Sequence, residues 1–223
     1  MNYNILEKIK YYTSLALKKP NLILHFIFQR HLGVILIIPF KSTYNLDWNK
    51  KIESIKLTKD VGRIQAFYKK VNRDSVSISQ IKYWLELGFD CFLTYDHNEI
   101  PIAGMWIFKN EFELHSLSGR TLSSNNLIKL DTDTIYGAYV EVEKNHRGYG
   151  INQSMLGHII NYYSRSNKYK RLLLITGASN GAYIRTVMKF NGILVGITLA
   201  YNILGFKIRK EIFIDKKEKV WNN

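Results

Sequence analysis

Apolar residues fall at two spacings along this chain, and the change between them outlines its elements. Over 4–19, Ile5, Ile9, Leu15 and Leu17 mix with Lys8, Lys10, Lys18 and Lys19 at helical spacing until Pro20 interrupts the pattern. Residues 21–31 resume it, with Leu22, Ile23, Phe26 and Ile27 apolar and His25, Gln29, Arg30 and His31 polar. Together these pieces predict a basic, amphipathic helical extension over 1–32. Residues 33–40 are an apolar run broken by Pro39, too short to span a membrane and suited to a buried strand. A loop is expected over 41–48 and a strand over 52–57. Helical spacing returns in 60–71, where Ile64, Phe67 and Tyr68 share a face, and in 78–87, where Ile81, Trp84 and Leu85 do. Ser77 is placed to cap the second helix, with Gln80 completing a capping box.

From Phe89 the pattern favours strands. Residues 91–95 and 102–108 flank the turn-forming Asp96-His97-Asn98-Glu99, and 112–117 follow. A polar loop is expected over 119–126. Ile135, Tyr136, Tyr139, Val140 and Val142 mark a strand over 134–142. A helix over 151–166, a buried strand over 171–176 and a second helix running to Phe190 come next. Ser179 or Asn180 caps that last helix, and Asn191-Gly192 tolerate the left-handed conformation that ends one. Strands over 193–201 and 206–214 close the domain, and the charged tail 216–223 is expected to fray. Helices, a strand meander, then strand-helix-strand-helix-strand-strand give an α/β (α+β) fold with one mixed sheet over 33–215.

One junction carries chemistry. The strand over 134–142 leads to Arg147-Gly148-Tyr149-Gly150 and then to a helix with Ile151, Met155, Leu156, Ile159 and Ile160 on its apolar side. The first N–H groups of a helix have no partner within it, and the macrodipole adds partial positive charge there. Gly148 and Gly150 permit positive φ and a close approach by an anion, and Arg147 adds a fork of donors. The same turn is also an ordinary way to join a strand to a helix.

The stretch Val142-Glu143-Lys144-Asn145-His146-Arg147-Gly148-Tyr149-Gly150 resembles the phosphate loop of the GNAT superfamily, the acyl-CoA-dependent N-acyltransferases. Arg147 and Gly150 match its Arg/Gln-x-x-Gly-x-Gly/Ala pattern, while Asn152 stands where a second small residue is expected and Lys144 where a proline is usual. The strand over 172–176 and the helix opening at Asn180 look like that family's next strand and asparagine-led helix, so the resemblance covers roughly residues 89–206. It also extends to members that modify surface polysaccharides or amino-sugars.

The resemblance implies a mostly antiparallel sheet with splayed central strands, and an acyl group moving from acetyl-CoA, or another acyl-CoA, to a primary amine of a small molecule. It implies cofactor contacts from Val140, Val142, Arg147, Gly148, Tyr149, Gly150, Ile151, Asn152 and Asn180. The family often places a thiolate-protonating tyrosine seven residues after the asparagine; here that position is Val187, and Tyr183, one turn earlier, is the substitute. Tyr183 serves equally to pack its helix on the sheet.

For a base, Glu141 and His115 are the candidates, with Glu111, Asp131 and Asp133 in expected loops near the acceptor side. Glu141 points to the opposite sheet face from Val140 and Val142, and Glu113 shares a face with His115. Strand-face carboxylates are also common as solvated surface groups. His146 adjoins Arg147 and could reach a phosphate, whereas His158 reads as a packed helix residue. No Cys/His/Asp/Glu spacing suggests a metal site.

Charge changes the picture last. The 223 residues carry 32 Lys plus Arg against 18 Asp plus Glu, a formal charge of +14, with 46% apolar residues. A folded chain this basic favours an anionic partner. A phosphate-bearing cofactor accounts for part of the charge, and no nucleic-acid reader motif or aromatic-interleaved basic stripe is present. Peripheral contact of the N-terminal helix with an anionic membrane stays open, beside packing on the domain. A catalytically silent protein of this fold that binds CoA or lipid stays open too. Cys91, the single cysteine, permits no intrachain disulfide and reads as a buried thiol. No signal peptide is visible, so a cytoplasmic location is expected.

Overall fold

The structure, a computed structural model, describes residues 28–40, 44, 49–73, 76–113, 127–203, 206–214 and 221–222. In chain order the elements are β1 (Phe28–Pro39), β2 (Ser54–Thr58), α1 (Val61–Lys70), α2 (Ile78–Glu86), β3 (Asp90–Tyr95) and β4 (Pro101–Lys109). Then come β5 (Glu111–Glu113), β6 (Leu127–Leu130), β7 (Thr134–Val142), a 3-10 turn (Lys144–His146) and α3 (Ile151–Ser164). The chain closes with β8 (Arg171–Gly177), α4 (Gly181–Met188), β9 (Ile193–Ile203), β10 (Phe206–Phe213) and β11 (Trp221–Asn222).

Eight strands form one sheet in the order β10-β9-β1-β8-β7-β4-β3-β2, and β11-β6-β5 form a small second one. Every strand pair in the large sheet is antiparallel except β7–β8. Strand alternation sends side chains to two cores. Ile35, Ile37, Cys91, Leu93, Trp106 and Phe108 face α1 and α2, where Ile64, Phe67, Tyr68, Ile81 and Trp84 meet them. Leu36, Ile38, Phe92, Met105, Leu172 and Leu174 face α3 and α4, where Met155, Leu156, Ile159, Ile160 and Val187 meet them. Two helix starts are capped as expected, Ser77 accepting from Gln80 N at 3.2 Å and Asn180 from Tyr183 N at 3.3 Å, and Asp60 caps α1 by accepting from Arg63 N at 3.0 Å.

Several expectations change. The helix anticipated over 21–31 does not extend through its last residues, because Phe28 to His31 belong to β1 and pair with Ile203 to Ala200 of β9. A continuous ladder of backbone bonds outweighs the local helical spacing there. The tail is not frayed throughout: Trp221 and Asn222 pair with Leu130 and Lys129. Residues 1–27, with the expected amphipathic leader, lie outside the described residues, as do 114–126 and hence most of the expected strand over 112–117. Glu111 sits in a strand rather than a loop. At the end of α4, Asn191 takes the left-handed conformation with φ 55°. Gly192 is needed there for space, since an added Cβ would lie 2.7 Å from the Val187 carbonyl oxygen. Among the described residues no helix is long and apolar enough to cross a membrane.

Candidate active site

The site begins where β7 and β8 part. They pair in parallel only from Thr134↔Arg171 to Gly137↔Leu174. Beyond that point β7 continues to Val142 and β8 to Gly177 without facing each other. An extra residue in β7 drives the divergence, since Ala138 to Glu141 span only Trp106 to Gly104 of β4. This is a β-bulge, which bends its strand and adds twist. Tyr139 carries it at φ 52°, a left-handed conformation that costs a non-glycine residue about 1–3 kcal/mol. Two contacts hold it there. The Tyr68 hydroxyl donates to the Tyr139 carbonyl at 2.8 Å, and the Tyr139 ring lies 4.8 Å from that of Trp84. Burial, first of all, pushes the Tyr68 hydroxyl well above the ordinary tyrosine range, so it stays a donor.

Past the bulge, backbone direction follows from one bond. Glu143 N donates to Ile102 O at 2.8 Å, so Glu143 faces β4, and by alternation Glu141 does too. Val142 and Val140 therefore turn their N–H and C=O groups to the gap left by β8. Their side chains pack on the α3–α4 core, while Glu141 lies on the α1 side beside Arg73.

The loop comes next. Gly148 and Gly150 have φ of 83° and 73°, and a Cβ on either would meet nothing within 4 Å. Backbone conformation, with open space around it, is what these glycines provide. Gly150 is the N-cap of α3 and supplies no side-chain cap bond. The first helical bond runs from Ser154 N to Gly150 O at 3.0 Å, and the N–H groups of Ile151, Asn152 and Gln153 at the helix start have no partner among the described residues. Asn152 Oδ1 is shielded from solvent without a hydrogen-bond partner among the described residues. Arg147 folds back along β7. Its Nε donates to Val142 O at 2.9 Å, and its terminal nitrogen stands 3.9 Å from Glu141 Oε2. It tethers the loop to the strand with one nitrogen, and among the described residues the rest of its fork bonds no backbone carbonyl.

A band of ion pairs joins the end of α1 to the end of β7. Arg73 bonds Glu141 through its Nε and Lys70 meets Glu143 at 3.0 Å; beside them His146 Nδ1 stands 2.9 Å from Glu143 Oε2 without a well-formed hydrogen bond. Glu141 thus faces two guanidinium groups, the setting of an anchor. His146 is turned to Glu143 rather than to the loop. Asp131 and Asp133 are not near the mouth of the gap. They clamp Arg171 at 2.8 and 3.1 Å beside Thr134, at the closed end of β7 and β8. His115 lies outside the described residues, and the side chains of Glu111 and Glu113 are outside them as well.

Across the gap, Asn180 opens α4. Its Nδ2 donates to Thr176 Oγ1 at 3.1 Å while its Oδ1 caps the helix, which fixes the amide at the tip of β8. Val187 is fully buried in the α3–α4 core. Tyr183 is half-buried on the same core, and its hydroxyl has no hydrogen bond among the described residues. Burial, and then Tyr136, pushes that hydroxyl above the ordinary tyrosine value, so it holds its proton at neutral pH. Cys91 is buried, its thiol pushed up by desolvation and then by Asp90, and it lies off the gap. His158 packs 6.2 Å from the Phe92 ring and is pushed down by burial, so it is neutral and structural.

Sequence reasoning missed Tyr68, Arg73 and the Tyr139 bulge. Tyr68 and Tyr139 are 71 positions apart, and Arg73 and Glu141 are 68 apart, so no local pattern joins them.

A sheet whose neighbouring parallel strands diverge past a bulge, with a glycine-turned helix start at the mouth, defines the GNAT-like fold, and this chain has it. Among solved structures it is similar to a GCN5-related N-acetyltransferase from Sphaerobacter thermophilus (14% identity, 88% of this chain, 57% of that one, TM-score 0.51). It is also similar to a GCN5-related glucosamine N-acetyltransferase region within a fungal multi-domain β-N-acetylglucosaminidase (14%, 89%, 23%, 0.53) and to a Drosophila protein (10%, 86%, 58%, 0.55). The chain spans less than two thirds of each of these proteins. No family model matches it, and no curated protein matches it in sequence.

Proposed function

We propose that this protein is an N-acyltransferase that moves an acyl group, most simply acetyl, from an acyl-CoA to a primary amine of a small molecule. The observation that carries the reading is the pairing of an open strand gap with an unpaired helix start at its mouth. The donor set fits a long thioester with a diphosphate. Gly148 to Gln153 supply backbone N–H groups for the diphosphate, and Arg147 supplies charge beside them. The backbone groups of Val140 and the N–H of Val142 face the gap, where an extended amide-bearing arm can pair like a missing strand, with Asn180 on the opposite lip; the Val142 carbonyl is held by Arg147. The bound thioester supplies an activated carbonyl.

The residues then do the following. The N–H of Val140 is directed at the gap and can polarise the carbonyl oxygen, as a preorganised donor should. The amine nitrogen bonds to the carbonyl carbon as the C–S bond breaks, and the amine's extra proton leaves to water. Tyr183, protonated at neutral pH, is the donor to the departing thiolate, and its phenolate regains a proton from the water that took the amine's. Glu141 positions Arg147 and the end of β7 through its ion pairs and is not the base. An amino-sugar is the first acceptor to test, because a glucosamine N-acetyltransferase region shares the fold.

Titration calorimetry with acetyl-CoA tests the cofactor reading: binding is expected, and none at millimolar ligand ends it. Arg147→Ala should weaken that binding by about 1.5–3 kcal/mol, the loss of one charge-assisted contact. Thiol release is then followed with amino-sugars, amino acids and polyamines. A second reading, a silent CoA binder, is favoured by the burial of Val187 and the pairing of Glu141. It predicts bound cofactor with no thiol release across the panel.

A further inference from the structure

The phosphate loop touches a part of the chain far from it in sequence. Between β1 and β2 the chain is pinned to the α3–α4 layer. Phe40 N donates to Lys170 O at 2.7 Å, Tyr44 exchanges bonds of 2.7 and 2.8 Å with the Asn161 side chain of α3, and the Tyr44 hydroxyl donates to Phe190 O at 2.9 Å. Asn49 then reaches the loop, and its Nδ2 donates to the Tyr149 carbonyl. Its Oδ1 accepts from Lys51 N at 2.9 Å, and its carbonyl accepts from Ile52 N at 2.9 Å. One amide side chain therefore links the loop backbone to the backbone of Lys51.

The Lys51 ammonium sits 3.3 Å from the centroid of the Tyr149 ring. The cations at the end of α1 and on the loop, Lys70, Arg73 and Arg147, all face Glu141 or Glu143. Lys51 has no carboxylate partner among the described residues. A cation–ring contact leaves an ammonium most of its donors. The turn carrying it is also clasped from behind, with His97 bonded to Lys50 O and to Glu53, each at 2.7 Å. A half-buried cation stacked on the Tyr149 ring of the phosphate loop, with no carboxylate partner among the described residues, is placed for a further phosphate of the same ligand.

We infer that Lys51 binds the 3′-phosphate on the ribose of CoA and makes this site prefer CoA to its 3′-dephospho form. The inference rests on the acyl-CoA reading. It is tested by calorimetry with CoA and 3′-dephospho-CoA on the wild-type protein, Lys51→Gln and Lys51→Arg. Lys51→Gln should weaken CoA about tenfold, the scale of one charged contact, and leave dephospho-CoA unchanged. Lys51→Arg should restore most of the preference. Equal weakening of both ligands overturns the inference, because Lys51 then acts on the diphosphate or through Tyr149; so does no change in either. Wild-type protein that binds neither ligand overturns the CoA reading itself and this inference with it.

Discussion

Tyr183 and Val187 lie one helical turn apart on α4, and burial separates their capacities. Val187 is sealed in the core beneath Gly192, so a tyrosine at that position would have to displace the turn that ends the helix. Tyr183 is only half covered, and its hydroxyl is held protonated with no hydrogen bond to it among the described residues. Tyr183→Phe should leave CoA affinity in place and slow thiol release by about 10²-fold or more, the range of a lost general acid. A rate that does not change would assign the proton to solvent and Tyr183 to packing. At this scale the sequence was readable wherever backbone chemistry dictates residue type. Gly148, Gly150, Asn180 and Ser77 were legible because left-handed φ and helix caps restrict composition. Asp131, Asp133 and His146 were not, because their partners Arg171 and Glu143 are chosen by folding, and an unpaired carboxylate looks the same in sequence as a clamped one.

The elements show a similar division. The span Thr134–Val142 follows from its own β-branched and aromatic residues, and the strand is found with those bounds. Its bulge does not follow, because Tyr139 is an ordinary strand residue whose left-handed φ is imposed by Tyr68 and Trp84. The turn at Asn49–Glu53 is likewise held from a distance, by His97. Both His97 ring nitrogens face acceptors, Lys50 O and a Glu53 oxygen, so the doubly protonated ring satisfies both. Its pKa is accordingly raised, first by the Lys50 carbonyl, then by Glu53, with a smaller contribution from Asp96. The sign follows from linkage. A raised folded-state value makes the clasp fully stabilising below the ordinary imidazole value of about 6.5, and that contribution is lost as pH rises through the folded value. The difference in melting temperature between wild type and His97→Ala should therefore be largest at mildly acidic pH and shrink with alkalinisation. A difference independent of pH would mean that the ring acts by packing alone.

For the whole molecule, element order was enough to indicate the mixed sheet, since local spacing sets each strand and helix. Strand neighbours were not legible, because the same order is compatible with β1 at an edge or at the centre. The structure puts it inside the sheet, third of the eight strands and between β9 and β8. Ile35, Leu36, Ile37 and Ile38 are each at most 4% exposed, so β1 contributes to both cores at once. At about 1.5–3 kcal/mol for each fully buried aliphatic side chain, those four residues alone rival the net stability of a domain. The first described strand thus fills a slot whose walls are made more than 130 residues later, and the sheet cannot close during synthesis until β8 and β9 exist. A chain shortened to begin at residue 40 should expose two raw edges and clump, and a synthetic peptide of residues 28–39 added during refolding should rescue it by strand donation.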